Sequence, residues 1–215
     1  CGKTLFLQNL KQQVDLEGIF HHRGSVFGKH VTAQPSQIDI ENQLSIELLK
    51  HRNEKHQHIA LEDEGTNIGS RYIPSPLFDK MKRSPLVLLE TSVERRIEIT
   101  FEEYINEALS EHQQHYGKEQ GFDGWSEQLQ TNMDKIQRRL GGARHKKLKS
   151  LLNDAIEQQR LSDNSEQHKA WIEEMLVDYY DPMYDYQLSK KQARVIYKGQ
   201  PEEVLHYLQS HYQIT

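Results

Sequence analysis

An α/β fold on a mostly parallel sheet is predicted by three features of this 215-residue sequence. A Gly2-Lys3-Thr4 tripeptide runs straight into an apolar pattern with helical spacing. Four short apolar runs then alternate with helical stretches, and one long region reads as helix throughout. Strands alternating with helices favour right-handed crossovers and a sheet covered on both faces. Ligands on such sheets collect at the carboxyl ends of the strands.

Gly2-Lys3-Thr4, followed by Leu5, Phe6, Leu7 and Leu10, reads as the last half of G-x-x-x-x-G-K-[ST] opening its helix. In such a loop glycine lets the backbone approach an anion, the lysine reaches the outer phosphates and the threonine hydroxyl coordinates Mg²⁺. The predicted fold class is therefore P-loop NTPase-like, with a helical insertion. The motif's first four positions are absent, so an upstream segment is expected. Placement before a helix and an acid-ended strand gives the tripeptide its weight; G-K-T alone occurs by chance.

Strands are predicted over residues 13–17 (QVDLE), 58–62 (HIALE), 86–91 (LVLLET) and 193–198 (ARVIYK), and helices over about 36–50 and 101–112. From 117 to 186 no strand is evident. Trp125, Leu129, Met133, Ile136 and Leu140 form one helix stripe, and Gly141-Gly142 stops it. A second stripe runs through Leu148, Leu151, Leu152, Ala155 and Ile156. A third runs through Trp171, Met175 and Tyr179, and Asp181-Pro182 is expected to end that helix. Gly199-Gln200-Pro201 leads into a final helix. The expected organisation is a core over 1–116, a helical insertion over 117–186, and a last strand and helix over 187–215.

A 35% apolar share and 27% charged share suit a chain of long, solvated helices. No apolar run approaches the roughly 20 residues of a membrane span, and Lys3 interrupts any signal-peptide core. The single cysteine, Cys1, can make no internal disulfide, and a reducing cytoplasm is expected. The net charge of −5 argues against a uniformly basic nucleic-acid binder but allows a local basic patch.

A P-loop site needs a second Mg²⁺-ordering group, usually an acid ending a neighbouring strand. Glu62-Asp63-Glu64 has that form. Asp63, with Thr4, is the expected metal partner, and Glu64 the group polarising a nucleophile; Asp15 and Glu17 are the alternative pair. The glycine-rich stretch 18–28 carries His21, His22 and Arg23 as cationic or hydrogen-bonding tips for a substrate. Arg71 follows the acids and could reach the same pocket; Arg95 and Arg96 are weaker candidates. Zinc suits the histidines poorly, with no second cysteine and no H-E-x-x-H spacing. His51, His56 and His58 read as surface or strand-edge residues. From Lys135 to Lys149 seven cations occur without an acid. Arg138, Arg139, Arg144, Lys146 and Lys147 flank the glycine turn and are candidates for a phosphate backbone, against the alternative of a solvated helix face.

Asp15-Leu16-Glu17-Gly18, His22-Arg23-Gly24-Ser25, Phe27-Gly28, Pro35-Ser36-Gln37, Glu41-Asn42, Glu62-Asp63-Glu64, Ile68-Gly69 and Tyr179-Tyr180-Asp181-Pro182-Met183-Tyr184 resemble the bacterial tRNA 2-selenouridine synthase family along nearly the whole chain. Where that family carries Glu-Asp-Glu-Ser-Arg, this chain has Gly65 and Thr66 after the acids. The resemblance implies a tRNA-modifying transferase that converts wobble 2-thiouridine to 2-selenouridine through an S-geranylated intermediate. Its co-substrates would be geranyl diphosphate and selenophosphate. It also implies an N-terminal rhodanese-like domain, bearing the catalytic cysteine, which Cys1 is not. Two other readings stay open: a small-molecule or nucleoside kinase using the same loop for ATP, and a non-catalytic tRNA-binding module.

Overall fold

The computed structural model describes residues 2–215, so the expectation for Cys1 lies outside the described residues. The chain divides into two compact units, Cys1–Thr91 with Lys191–Thr215, and Ser92–Lys190. The boundary between them therefore falls at Ser92, earlier than the composition shift near 117.

The first unit begins with α1 (Lys3–Leu7), β1 (Gln13–Val14), α2 (Leu16–Phe20) and α3 (Gln37–Asn53). It continues through β2 (Ala60–Leu61), β3 (Asn67–Ile68), β4 (Arg71–Tyr72), α4 (Ser75–Arg83) and β5 (Leu86–Leu89). The strand expected over 13–17 stops at Val14, because the Asp15 carboxylate accepts from the Gly18 N–H (2.7 Å) and caps α2. Asp15 is thus a capping residue. β3 and β4 form an antiparallel hairpin across Gly69-Ser70, which the hydrophobic pattern did not announce.

The second unit is helical. It contains α5 (Val93–Phe101), α6 (Ala108–Tyr116), α7 (Lys118–Lys135), α8 (Gln137–Leu140), α9 (Gly142–Ser162), α10 (His168–Met175) and α11 (Asp181–Ser189). α5 runs into α6 through a π-helical turn, Glu102–Glu107, so the helix expected from about 101 starts at Val93. Most of the predicted stripe residues are its core: Trp125, Leu129, Met133, Ile136, Leu140, Leu148, Leu152, Ala155, Ile156, Trp171 and Met175 are buried, while Leu151 and Tyr179 are only half-buried.

Asp181-Pro182 does not end the third helix. A π-helical turn, Leu176–Tyr180, carries α10 into α11, where Pro182 occupies the first turn. Proline cannot donate to the carbonyl four residues back. That carbonyl, of Asp178, accepts instead from Arg144 Nη1 at 3.0 Å. Asp181 meanwhile makes a two-point ion pair with Arg96, its Oδ2 2.7 Å from Arg96 Nη2.

The chain returns to the first unit with β6 (Val195–Gly199) and α12 (Pro201–Tyr212). β1 pairs with β2 and β5 with β6, both parallel. Among the described residues the strands form three two-stranded pieces rather than one continuous sheet. The two parallel pairs share one apolar cluster. Ala60, Val87, Leu89 and Tyr197 pack against Leu7, Leu10, Val204 and Leu208. The result is α/β with short parallel pairs. α12 starts with a capping box between Gln200 and Glu203, with Pro201 at its first turn.

Candidate functional site

Gly2, at φ 87°, turns the chain into α1. That helix is only five residues long, so its side chains rather than its dipole dominate the local electrostatics. Lys3 Nζ donates to Glu64 Oε1 at 2.6 Å. Thr4 Oγ1 lies 3.1 Å from Glu17 Oε2 and 3.3 Å from Glu62 Oε1. A hydroxyl has one proton, so Thr4 can donate to only one of these carboxylates at a time. Glu62, 2% exposed, also accepts from the Leu16 N–H (3.1 Å).

Three glutamates therefore meet at one lysine and one threonine, and their charges conflict. Burial, then the charge of Glu64, pushes the pKa of Glu17 up to about 7, against the pull of Lys3. Burial also raises that of Glu62, against the hydrogen bond from Leu16. The loop at Gly24 lies against the other oxygens of two of these carboxylates. A Cβ at Gly24, where φ is 67°, would fall 2.4 Å from Glu17 Oε1 and 3.3 Å from Glu64 Oε2. Only glycine fits there.

Asp63 faces elsewhere. Successive side chains of an extended segment point to opposite sides. With Glu62 and Glu64 turned to Thr4 and Lys3, Asp63 pairs with Lys191 (2.5 Å) and lies 3.7 Å from Arg194. Arg194 also donates to the Ser84 and Met81 carbonyls. The carboxylates beside the Thr4 hydroxyl are thus Glu17 and Glu62, not the expected Asp63. Lys191 and Arg194, which fix Asp63, had no motif to mark them.

The histidine loop is partly structural. His21 bonds Thr32 Oγ1 through Nε2 (2.7 Å) and stacks on His30 at 4.2 Å. His22 is buried, and burial followed by nearby His30 lowers its pKa to about 4. That disfavours the cationic form, so of the two roles expected for His22 the hydrogen-bonding one is favoured. Arg23 donates its backbone N–H to the Gly28 carbonyl (2.9 Å), closing the loop. Arg71 donates from Nε to the Pro35 carbonyl (2.8 Å), so that nitrogen holds the Pro35 segment.

In the helical unit the basic turn acquires acids the linear sequence does not show. Lys147 pairs with Glu174 (2.5 Å) and Lys149 with Asp134 (2.7 Å), while Arg144 covers the Asp178 carbonyl. Arg138, Arg139 and Lys146 are exposed.

A family model described as the tRNA 2-selenouridine synthase AAA domain matches residues 1–215. The chain belongs to that family. The tRNA 2-selenouridine synthase of Alcanivorax borkumensis is 41% identical over 98% of this chain and 58% of its own length. That of Marinobacter nauticus is 43% identical over 97% and 57%, and that of Pseudomonas syringae pv. syringae 44% over 96% and 57%. The chain thus spans less than two thirds of these synthases. No solved structure matches it. No helix among the described residues is long and apolar enough to cross a membrane.

Proposed function

We propose that this chain is the pyrophosphate-binding part of a cytoplasmic tRNA 2-selenouridine synthase, which replaces the sulfur of wobble 2-thiouridine by selenium. The whole enzyme would use tRNA, geranyl diphosphate and selenophosphate, with a rhodanese-like domain carrying selenium. The observation that carries the reading is the meeting of Lys3 and Thr4 with Glu17, Glu62 and Glu64. A lysine already on a carboxylate can exchange that partner for a phosphate without leaving its place.

The donor set fits Mg²⁺, a hard cation that takes oxygen ligands. Thr4, Glu17 and Glu62 would hold it, and the raised pKa values of both glutamates are the repulsion such a cation relieves. Mg²⁺ there would neutralise charge on a leaving pyrophosphate. In geranyl transfer the allylic carbon–oxygen bond breaks and pyrophosphate departs with the electron pair. The thiocarbonyl sulfur then forms the new carbon–sulfur bond. Lys3 would bind the departing charge, and the loop at Gly24 would shield it from water. Arg138, Arg139 and Lys146, with Arg144 and Lys147, form the proposed tRNA contact, and His21, His22, Arg23 and Arg71 remain candidates for the substrate side, His22 as a neutral hydrogen-bonding group.

Calorimetry of the intact protein with Mg²⁺ tests the reading. Geranyl diphosphate should bind, and Lys3→Ala should abolish that binding and geranyl transfer while leaving the fold intact. Tight binding of ATP but not geranyl diphosphate would favour the kinase reading, and an unchanged geranylation rate in Lys3→Ala would overturn the assignment.

A further inference from the structure

α3 ends in a turn that sets two imidazoles against each other. Lys55 adopts φ 60°, and the His56 and Lys55 N–H groups donate to the His51 and Arg52 carbonyls at 3.0 and 3.1 Å. This is the Schellman pattern, whose third-from-last and second-following residues ordinarily make an apolar contact. Here those positions hold His51 and His56, with Nδ1 atoms 2.9 Å apart. Glu54, the last-turn cap between them, brings Oε2 to 3.5 Å from His56 Nδ1. One donor atom from each of the three residues lies within 4.8 Å of the others.

We propose that His51, Glu54 and His56 bind a divalent transition-metal ion of the zinc class. The tautomer of His51 is set by the fold. Its Nε2 is 2.8 Å from the Gln13 carbonyl, which can only accept, so Nε2 carries the proton and Nδ1 presents its lone pair. A ring nitrogen bound to a backbone carbonyl while the other faces the metal is the usual outer-shell arrangement of a histidine ligand. His56 would shift its proton from Nδ1 to Nε2 on binding. Zinc–nitrogen bonds of about 2.0–2.1 Å put tetrahedral ligands roughly 3.3 Å apart. The two Nδ1 atoms need to open by only about 0.4 Å to reach that spacing, and Glu54 Oε2 is already 3.5 Å from His56 Nδ1.

The surroundings agree. The carbonyl end of a 17-residue helix favours a cation. Two imidazoles and a carboxylate select zinc, nickel or copper over magnesium. Glu54 is exposed, which leaves the fourth position to water. Through the Gln13 carbonyl the ion would clip the end of α3 to β1, the strand that leads into Asp15 and Glu17. The site shares no residue with the Lys3–Thr4 cluster, so it stands or falls apart from the pyrophosphate reading.

Co²⁺ titration of the full-length protein reads the geometry directly. One equivalent should give visible bands of a tetrahedral ion, bleached by Zn²⁺ but not by excess Mg²⁺. Zn²⁺ should also raise the melting temperature. His56→Gln should weaken binding by about tenfold or more, and Glu54→Gln together with His56→Gln should abolish both the bands and the thermal shift. Circular dichroism would show that α3 persists in these variants, since neither side chain is in the core. Absence of tetrahedral bands in the unmodified protein overturns the proposal. So does their survival in the double variant, which would place the ion elsewhere, as at the glutamates around Thr4.

Discussion

The helical unit and the α/β unit bury their side chains on different terms. In the former, Trp125 and Trp171 sink into an apolar stripe, and each indole N–H finds an acceptor, the Tyr104 carbonyl at 3.0 Å and His168 Nδ1 at 2.9 Å. His168, wholly buried, is held neutral by desolvation, which lowers its pKa to about 4. In the latter, three glutamates crowd one threonine and one lysine, and two of them are pushed toward the protonated form. Packing that gives each indole N–H an acceptor is packing for stability, although His168 Nε2 is itself left buried without a partner among the described residues. Packing that leaves like charges together stores a demand for a cation or a proton, and such groups gather where ligands bind.

The comparison is tested most strongly by Trp125→Ala. Emptying a fully buried indole site should cost about 3–5 kcal/mol in urea denaturation. A cost below about 1 kcal/mol would mean that the helical core collapses around the gap rather than holding its close packing. Asp181→Asn comes next. It breaks the two-point pair with Arg96, whose side chain is 15% exposed, and should cost about 1.5–3 kcal/mol.

Glu17→Gln should move the other way. A carboxyl whose folded pKa is raised from 4.5 to about 7 binds its proton more tightly in the folded state. Its contribution to stability is full below pH 4.5 and is lost as pH rises through 7. At pH 8 the substitution removes a buried, repelled charge and should stabilise by about 1–2 kcal/mol after allowance for solvent screening. Stability measured from pH 5 to 8 should fall less steeply in the variant, and Mg²⁺ should stabilise it less than the unmodified protein. Equal slopes would show that Glu17 is not the conflicted group.

What the sequence made legible follows the same division. A stripe at helical spacing reports its own burial, because one helix face and one core decide it; Trp125 through Leu148 needed nothing more. The acids could not be read so. Glu62, Asp63 and Glu64 alternate sides, and nothing local says which side meets Thr4 until Lys191, far along the chain, claims Asp63. Other signals were present but outweighed. Asp15 and Glu17 stand where a helix cap and first turn belong, and Gly69-Ser70 sits between two strand-forming pairs as a tight hairpin turn does. The apolar look of Val14 and Leu16 favoured a longer strand. Pro182 misled because its missing hydrogen bond is made good by Arg144, again from another helix.

The smallest effect on stability, and the finest test of the helical unit, is expected from the basic turn. Seven cations between Lys135 and Lys149 suggest a phosphate footprint, yet they are not equivalent. Replacing Lys147 also strands Glu174, and replacing Arg144 uncovers the Asp178 carbonyl, so either change confounds weaker tRNA binding with damaged structure. Arg138, Arg139 and Lys146 are exposed and take part in no ion pair among the described residues. Changing these three to glutamine should alter stability by less than about 0.5 kcal/mol. If the turn follows a tRNA backbone in the proposed enzyme, each phosphate left without its cation should lower the log–log salt slope of tRNA binding by roughly 0.7–0.9. Filter binding across a salt series reads that slope. Wild-type slope and affinity in the triple variant, with Lys3→Ala also binding tRNA normally, would leave the turn as a solvated helix face and move the search for the tRNA-binding surface off this region.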